Sequence, residues 1–175
     1  MEIYQTKPEG QASHIQMLIR YRAWANAITF KSVLALPESE LTKIRQTHFK
    51  TIISTLNHIH VIDDIFRAHL EGRSHGYTGR NTQTTPPVTQ LWAAFQEMDA
   101  WYIKFADSQS EAQLSAPVEF NFVDGGAGLM SGHEILSHVI NHASYHRGFV
   151  SDMLYQVPVK PQANDLPVFL RDIWR

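Results

Sequence analysis

Hydrophobic residues recur along most of the chain at intervals of three and four positions, which is the spacing of an amphipathic helix. The pattern predicts four long helices separated by polar or proline-containing connections. A serine suited to N-capping precedes the first helix, and Pro37 stops it. The predicted helices run from about Ser13 to Leu36, Phe49 to Leu70, Val88 to Ala106 and Gly132 to Tyr155.

The pattern changes between Pro117 and Ser131, where Val118, Phe120 and Phe122 alternate with polar residues before the turn signal Asp124-Gly-Gly126. Alternation around such a turn signal predicts a short β-hairpin. The tail should be extended and end in a short apolar segment, Leu166 to Trp174, docked on the helices. We therefore predict an all-α fold over residues 1–175, a single domain built as a four-helix bundle with a small β-hairpin between the third and fourth helices.

Composition narrows the classes of function. The 175 residues carry a formal charge of −2, which gives no electrostatic footprint for nucleic acid or an anionic membrane. No apolar stretch approaches the roughly 20 residues needed to span a bilayer, and the N-terminus lacks the pattern of a secretory signal. The chain has no cysteine, which excludes disulfides, thiolate ligands and a cysteine nucleophile, and we expect a cytoplasmic location. Its ten histidines are the compositional oddity.

Two of these histidines, His142 and His146, are four residues apart in the fourth predicted helix. Side chains at this spacing lie one above the other, so both imidazoles can reach one metal ion such as zinc, nickel or iron. They also fall within the apolar stripe of that helix, where a buried imidazole needs a hydrogen-bond partner or a metal. The stripe is formed by Ile135, Val139, Val150 and Met153.

A third ligand would distinguish a metal site from hydrogen-bonded core histidines. The second predicted helix offers His58, at the edge of its apolar stripe, and His60, which points roughly 160° away from His58. Both cannot serve one metal, and helix geometry alone does not choose between them. His138, one turn before His142, is a weaker candidate.

Four short motifs, spread in order over nearly the whole chain, resemble the DinB/YfiT-like family. They are Tyr21-Arg-Ala-Trp24-Ala-Asn26 in the first helix, Thr55-Leu-Asn-His58 followed by Asp63 in the second, Asn141-His142 followed by His146-Arg147-Gly148 in the fourth, and Asp165-Leu-Pro-Val-Phe-Leu-Arg171 near the C-terminus.

This resemblance implies an up-down-down-up four-helix bundle, often dimeric, that binds a divalent metal through one histidine of the second helix and two of the fourth. Carried over by position, the metal ligands are His58, His142 and His146, so the resemblance selects His58 over His60. Two positions depart from the family pattern. Tyr145 stands where a further histidine is usual, and His60 stands where an aliphatic residue is usual.

Three neutral imidazoles would leave a divalent ion with an open coordination position, the pattern of catalytic sites. Water bound there has its pKa lowered to about 7, and a substrate thiol could be held as thiolate instead. The resemblance points to metal-dependent transferases or isomerases that use a low-molecular-weight thiol, so we expect a thiol S-transferase or hydrolase acting on a small electrophile. The alternative is a non-catalytic, stress-associated metal-binding bundle.

Other polar residues receive secondary roles. Asp63 lies near the centre of an apolar stripe, where it would orient a ligand imidazole or, as we favour, form an ion pair with Arg147. Asn141 and Tyr145 are candidates for pocket or surface positions. We expect the remaining histidines to be solvent-exposed or incidental, namely His14, His48, His69, His75 and His133.

Overall fold

A computed structural model describes residues 2–8, 13–157 and 159–175. The protein is mostly helical, with a small two-stranded antiparallel sheet, as predicted. The helices are α1 (His14–Val33), α2 (Glu38–Thr42), α3 (Ile52–Leu70), α4 (Val88–Ser108), α5 (Glu111–Ser115), α6 (Gly132–Leu154) and α7 (Leu166–Phe169), and the strands are β1 (Pro117–Asn121) and β2 (Ala127–Ser131).

Hydroxyl side chains fix where the long helices begin. Ser13 caps α1 and Ser131 caps α6, each in a reciprocal capping box with the side chain three residues later. The second long helix begins at Ile52 rather than at Phe49, because Lys50 adopts a positive φ of 64° and the Thr51 side chain accepts the capping hydrogen bond. Phe49 therefore lies in the connection that precedes α3.

The four long helices pack against one another around a shared apolar core. α1 contacts α4 and α6, and α3 contacts the same two helices. Fully buried aliphatic and aromatic side chains fill the space between them, among them Ile19, Ile59, Phe95 and Val139. The contact between α3 and α6 sets the histidines of these two helices face to face.

Smaller elements cover the ends of this core. The predicted hairpin is present, with Pro117 paired to Ser131 and Asn121 to Ala127. The predicted C-terminal segment also docks, because Phe169 is fully buried against aromatic side chains of α1. The short helices α2 and α5 were not predicted, since each spans only five residues and shows too little periodicity to be recognised.

Within residues 2–8, 13–157 and 159–175, no helix combines the length and the apolar character that crossing a bilayer requires.

Candidate metal centre

The three histidines selected in the sequence meet at the contact between α3 and α6. His58 lies in the second turn of α3, and the four-residue spacing of His142 and His146 places both on the face of α6 that looks toward it. One ring nitrogen of each lies within 4.8 Å of the others, a group that could hold a metal ion. The structure thus brings the predicted ligand residues together.

The imidazole rings themselves are in close contact. Their centroids are 4.9 Å apart for His58 and His142, 4.6 Å for His58 and His146, and 4.5 Å for His142 and His146. Nε2 of His58 and Nε2 of His142 are 3.1 Å apart. At most one proton can lie between these two atoms, so at least one of them presents a lone pair to its neighbour.

A backbone carbonyl fixes the tautomer of His58. Nδ1 of His58 lies 2.7 Å from the carbonyl oxygen of Arg80, which can only accept a hydrogen bond. Nδ1 therefore carries the proton, and Nε2 keeps a lone pair directed toward the other two imidazoles. An outer hydrogen bond of this kind orients the metal-binding histidines of known sites.

The loop that supplies this carbonyl is attached to α3 by two hydrogen bonds within the turn that precedes His58. The amide nitrogen of Asn57 donates to the Thr82 hydroxyl at 2.9 Å, and the Asn81 side chain donates to the carbonyl of Ser54 at 3.4 Å. These hydrogen bonds hold the loop so that the Arg80 carbonyl faces Nδ1 of His58.

Protein groups alone do not satisfy the other two imidazoles. Nδ1 of His142 and Nδ1 of His146 are buried and have no hydrogen-bond partner among the described residues. Buried ring nitrogens without partners are unfavourable, so these two nitrogens require a partner from outside the protein chain, either a metal ion or water. A set of three imidazole donors suits zinc, nickel or iron, and the cluster therefore fits a divalent transition metal.

Burial keeps the cluster uncharged. Burial, together with the neighbouring histidines, lowers the pKa of His142 to about 2 and that of His146 to about 4. Burial also lowers the pKa of His58, although its bond to the Arg80 carbonyl works in the opposite direction. All three imidazoles are thus neutral near pH 7, which is the protonation state that binds a metal.

A cavity of about 480 Å³ opens beside the three histidines. Phe49 stacks on His58 with a centroid distance of 4.2 Å and forms part of the wall. Among the described residues no fourth ligand joins the cluster, so one side of it faces the cavity. The remaining lining is largely apolar and comprises His48, Ile62, Ile65, Phe66, His69, Arg80, Phe122, Val123 and His138.

Sequence reasoning missed several lining residues. His48 and His69 were expected to be incidental, yet both border the cavity. Arg80 belongs to a connection without regular periodicity, and Phe122 was predicted only as an apolar residue of the hairpin, so only the fold could bring them there. The short His48-Phe49 pair just before the second predicted helix was the one available signal.

The other candidate residues lie outside the ligand cluster. His138 lines the cavity with its ring centroid 5.5 Å from that of His142. His60 faces away from the cavity, with its ring 5.9 Å from that of Phe95. Tyr145 is 64% exposed, and its ring meets the His146 ring edge-on at 5.0 Å. Asn141 is exposed.

Asp63 forms an ion pair, as favoured from the sequence, but with a different partner. Its carboxylate accepts from Arg22 instead of Arg147, and the same guanidinium donates to Asp99. Asn26 joins this buried network by donating to Asp99 at 3.1 Å and accepting from Arg147 at 2.9 Å. Among the described residues, no ligand imidazole donates to the Asp63 carboxylate, so the alternative role of orienting a ligand is not seen.

Comparison with known proteins agrees with the motifs. The chain is 25% identical over 159 residues to Protein DinB of Bacillus subtilis (strain 168), covering 87% of this chain and 91% of that protein. Its fold resembles the crystal structure of a DinB-like protein from Bacillus cereus ATCC 10987, with a TM-score of 0.65 at 15% identity over 84% of this chain and 95% of the other. The sequence profile of the DinB family matches residues 10–175, and the chain therefore belongs to the DinB family.

Proposed function

We propose that the protein binds one divalent metal ion through His58, His142 and His146, and that it acts as a metal-dependent thiol S-transferase or hydrolase on a small electrophile. The observation that carries this proposal is the position of the three converging imidazoles at the edge of a cavity of about 480 Å³. A purely structural metal site is normally closed by four protein ligands, whereas a reactive one keeps a position free.

Zinc and nickel are the metals that we favour, with iron as a third choice, because all three accept imidazole nitrogen. When bound, such an ion supplies Lewis acidity, which lowers the pKa of a coordinated water or thiol. The chain itself has no cysteine, so a thiol would have to come from a low-molecular-weight cosubstrate.

The residues of the chain would orient and shelter the reactants. The Arg80 carbonyl holds the His58 ring in one tautomer. Phe49, Phe66 and Phe122 offer apolar contacts for the body of an electrophile and exclude bulk water from the site. The cavity volume falls within the range of about 300 to 1,000 Å³ that is common for small-molecule sites.

The finer description of the fold belongs to the same proposal. We infer an up-down-down-up course for the long helices, consistent with α1 and α3 each packing on α4 and α6. We also propose a homodimer, which rests on the family resemblance, and a cytoplasmic location, which rests on the absence of cysteine. Light scattering coupled to size exclusion should give twice the 20.0 kDa mass of the chain, and a monomer mass would refute the dimer.

Metal content of untagged protein, measured by elemental mass spectrometry, is the first test. We expect about one equivalent in the parent protein and almost none in His58→Ala and His142→Ala, because two imidazoles bind far more weakly than three. His133→Ala is the matched control, since His133 lies outside the cluster and contacts Glu111. Metal retained in His58→Ala would refute the assignment of this ligand.

Turnover separates the enzyme from the non-catalytic alternative. Metal-loaded protein should accelerate the loss of a low-molecular-weight thiol in the presence of an aromatic halide electrophile, and the His142→Ala variant should not. A parent protein that holds its equivalent of metal but neither consumes thiol nor hydrolyses small esters would instead support the stress-associated metal-binding bundle.

A further inference from the structure

A second cavity, separate from the histidine site, lies between α6, α1 and the segment that leads to α7. Its volume is about 520 Å³, and it shares no lining residue with the cavity beside the histidines. Polar side chains dominate the wall. The cavity is bordered by Tyr21, Ser144, Arg147, Gly148, Ser151, Tyr155, residues 160–163, Asn164 and Asp165.

Arg147 differs from the other buried arginines of the protein. Four arginines are at least nine-tenths buried, and three of them pair with a carboxylate. These pairs are Arg20 with Asp107, Arg22 with both Asp63 and Asp99, and Arg45 with Glu40. Within the described parts of the chain, Arg147 forms no salt bridge, although it is only 3% exposed.

The contacts of Arg147 are with neutral groups. Its guanidinium donates to the Asn26 side-chain oxygen at 2.9 Å and to the Ser144 hydroxyl at 3.0 Å. It also lies over the Tyr21 ring, 5.9 Å from the centroid. Asn26 links it to Asp99, but that carboxylate already accepts from Arg22.

The charge of Arg147 is therefore poorly compensated. A buried cation without an anionic partner is unfavourable, and a guanidinium has more donors than its two hydrogen bonds use. The cavity is the place from which an anion could reach it.

The rest of the cavity wall suits a singly charged anion. Lys160 adds a second positive charge at an exposed position, and Asp165 adds one negative charge, so the lining carries a net charge of +1. The hydroxyls of Ser151 and Tyr155 and the amide of Asn164 add hydrogen-bond donors.

We propose that this second cavity binds a small molecule through a carboxylate or phosphate group, with Arg147 and Lys160 as its cationic contacts. The planar fork of a guanidinium matches both groups, whereas the lysine acts as a point charge at the entrance. This site is independent of the metal centre, because no residue of the histidine cluster borders it.

Calorimetric titration of metal-free protein with acetate, succinate and inorganic phosphate, at constant ionic strength in chloride buffer, tests the proposal. We expect saturable binding of one ligand per chain. Lys160→Gln should weaken it about threefold, because an exposed charge is screened by solvent. Lys104→Gln, the same change at an exposed position of α4 away from the cavity, should leave the affinity unchanged.

Two further variants make the result decisive. Arg147→Met should weaken binding at least about tenfold through loss of a charge-assisted hydrogen bond. Arg147 also contacts Asn26, so its loss disturbs the buried network. If Arg147→Met does not fold, Ser151→Leu is used instead. This change places an apolar side chain in the cavity without removing a contact of the buried network. Ser151→Leu should abolish binding.

His142→Ala separates this site from the metal centre and should bind the anion as the parent does. Absence of saturable binding with all three anions would overturn the proposal, as would equal affinity in the parent, Ser151→Leu and Lys160→Gln proteins. In either case Arg147 would serve the buried network alone, compensated through Asn26. Loss of anion binding in His142→Ala would show that the anion binds at the histidine cluster instead.

Discussion

Two buried polar regions lie among the same four helices and are built in opposite ways. In the network around Arg22, one guanidinium is paired with the carboxylates of Asp63 and Asp99, so opposite charges meet inside the core. In the histidine cluster, three neutral imidazoles converge, and Nε2 of His58 lies 3.1 Å from Nε2 of His142. No carboxylate joins this cluster among the described residues.

The difference indicates which region serves the fold and which serves a ligand. Polar groups that neutralise one another in the core connect α1, α3 and α4, and removing one leaves an uncompensated charge. The histidine cluster borders a cavity, and two of its ring nitrogens have no partner among the described residues. Such nitrogens favour binding of a ligand from outside the chain. Substitutions in the Arg22 network should therefore lower the free energy of unfolding strongly. Substitutions in the histidine cluster should lower it only slightly in the metal-free protein.

The largest effect should come from breaking the ion-pair network. Arg22→Met at pH 8 leaves two buried carboxylates without their cation, and we expect the free energy of unfolding to fall by about 3 to 5 kcal/mol. Urea denaturation followed by circular dichroism measures this change. At pH 8 the parent protein is above the pKa of Asp63, which burial raises to about 7 against the lowering effect of Arg22, so the ion pair is intact before the substitution.

Arg171→Met makes the same substitution in an exposed ion pair with Asp172 and should leave the unfolding midpoint unchanged. His142→Ala in metal-free protein should destabilise far less than Arg22→Met. If the two core variants lost equal stability, the distinction between a structural network and a ligand-binding cluster would not hold.

Acidification should act on the two regions in opposite directions. The pKa of His146 is about 4 in the folded protein and about 6.5 in an unfolded chain, so between these values only the unfolded state binds the proton. Stability of the metal-free protein therefore falls as the pH drops from 6.5 toward 4, by at most about 1.4 kcal/mol per pH unit for each such histidine. His142, with a pKa of about 2, adds to this fall.

Asp63 has the reverse sign. Its pKa is raised by burial to about 7, so the folded state binds the proton more tightly than the unfolded chain, and stability rises as the pH falls through 7. Denaturation curves between pH 7 and pH 4.5 should therefore show a shallower loss in His146→Gln than in the parent, and a steeper loss in Asp63→Asn. Parallel curves for all three proteins would contradict this assignment.

Periodicity was enough to place the helices that carry the site. The four-residue spacing of His142 and His146 determined their common face, and α6 begins at the predicted residue because Ser131 and Glu134 form a capping box. The choice of His58 over His60 needed the family resemblance, since helix geometry gives each an equal claim. The structure then shows the ring of His60 beside Phe95, away from the cluster.

Long-range contacts could not be predicted in the same way. The Arg80 carbonyl reaches His58 from a loop 22 residues further along the chain, and that loop has no periodic pattern. The partner of Asp63 proved to be Arg22, 41 residues earlier, although Arg147 was an equally reasonable choice from the sequence. Such pairings depend on how helices cross, which local spacing does not encode.

The smallest effect that we predict tests whether this loop supports the metal centre. Thr82→Val removes the hydroxyl that accepts from the fully buried Asn57 amide at 2.9 Å, and so loosens the loop that presents the Arg80 carbonyl to His58. We expect a loss of about 1 kcal/mol in unfolding free energy and a metal affinity about tenfold weaker. Competition with a chromogenic chelator measures the affinity.

Thr84→Val is the matched control, because only the backbone carbonyl of Thr84 enters this hydrogen-bond network. Equal affinities in the two variants would mean that the loop does not tune the histidine, and that convergence of the three imidazoles alone defines the site.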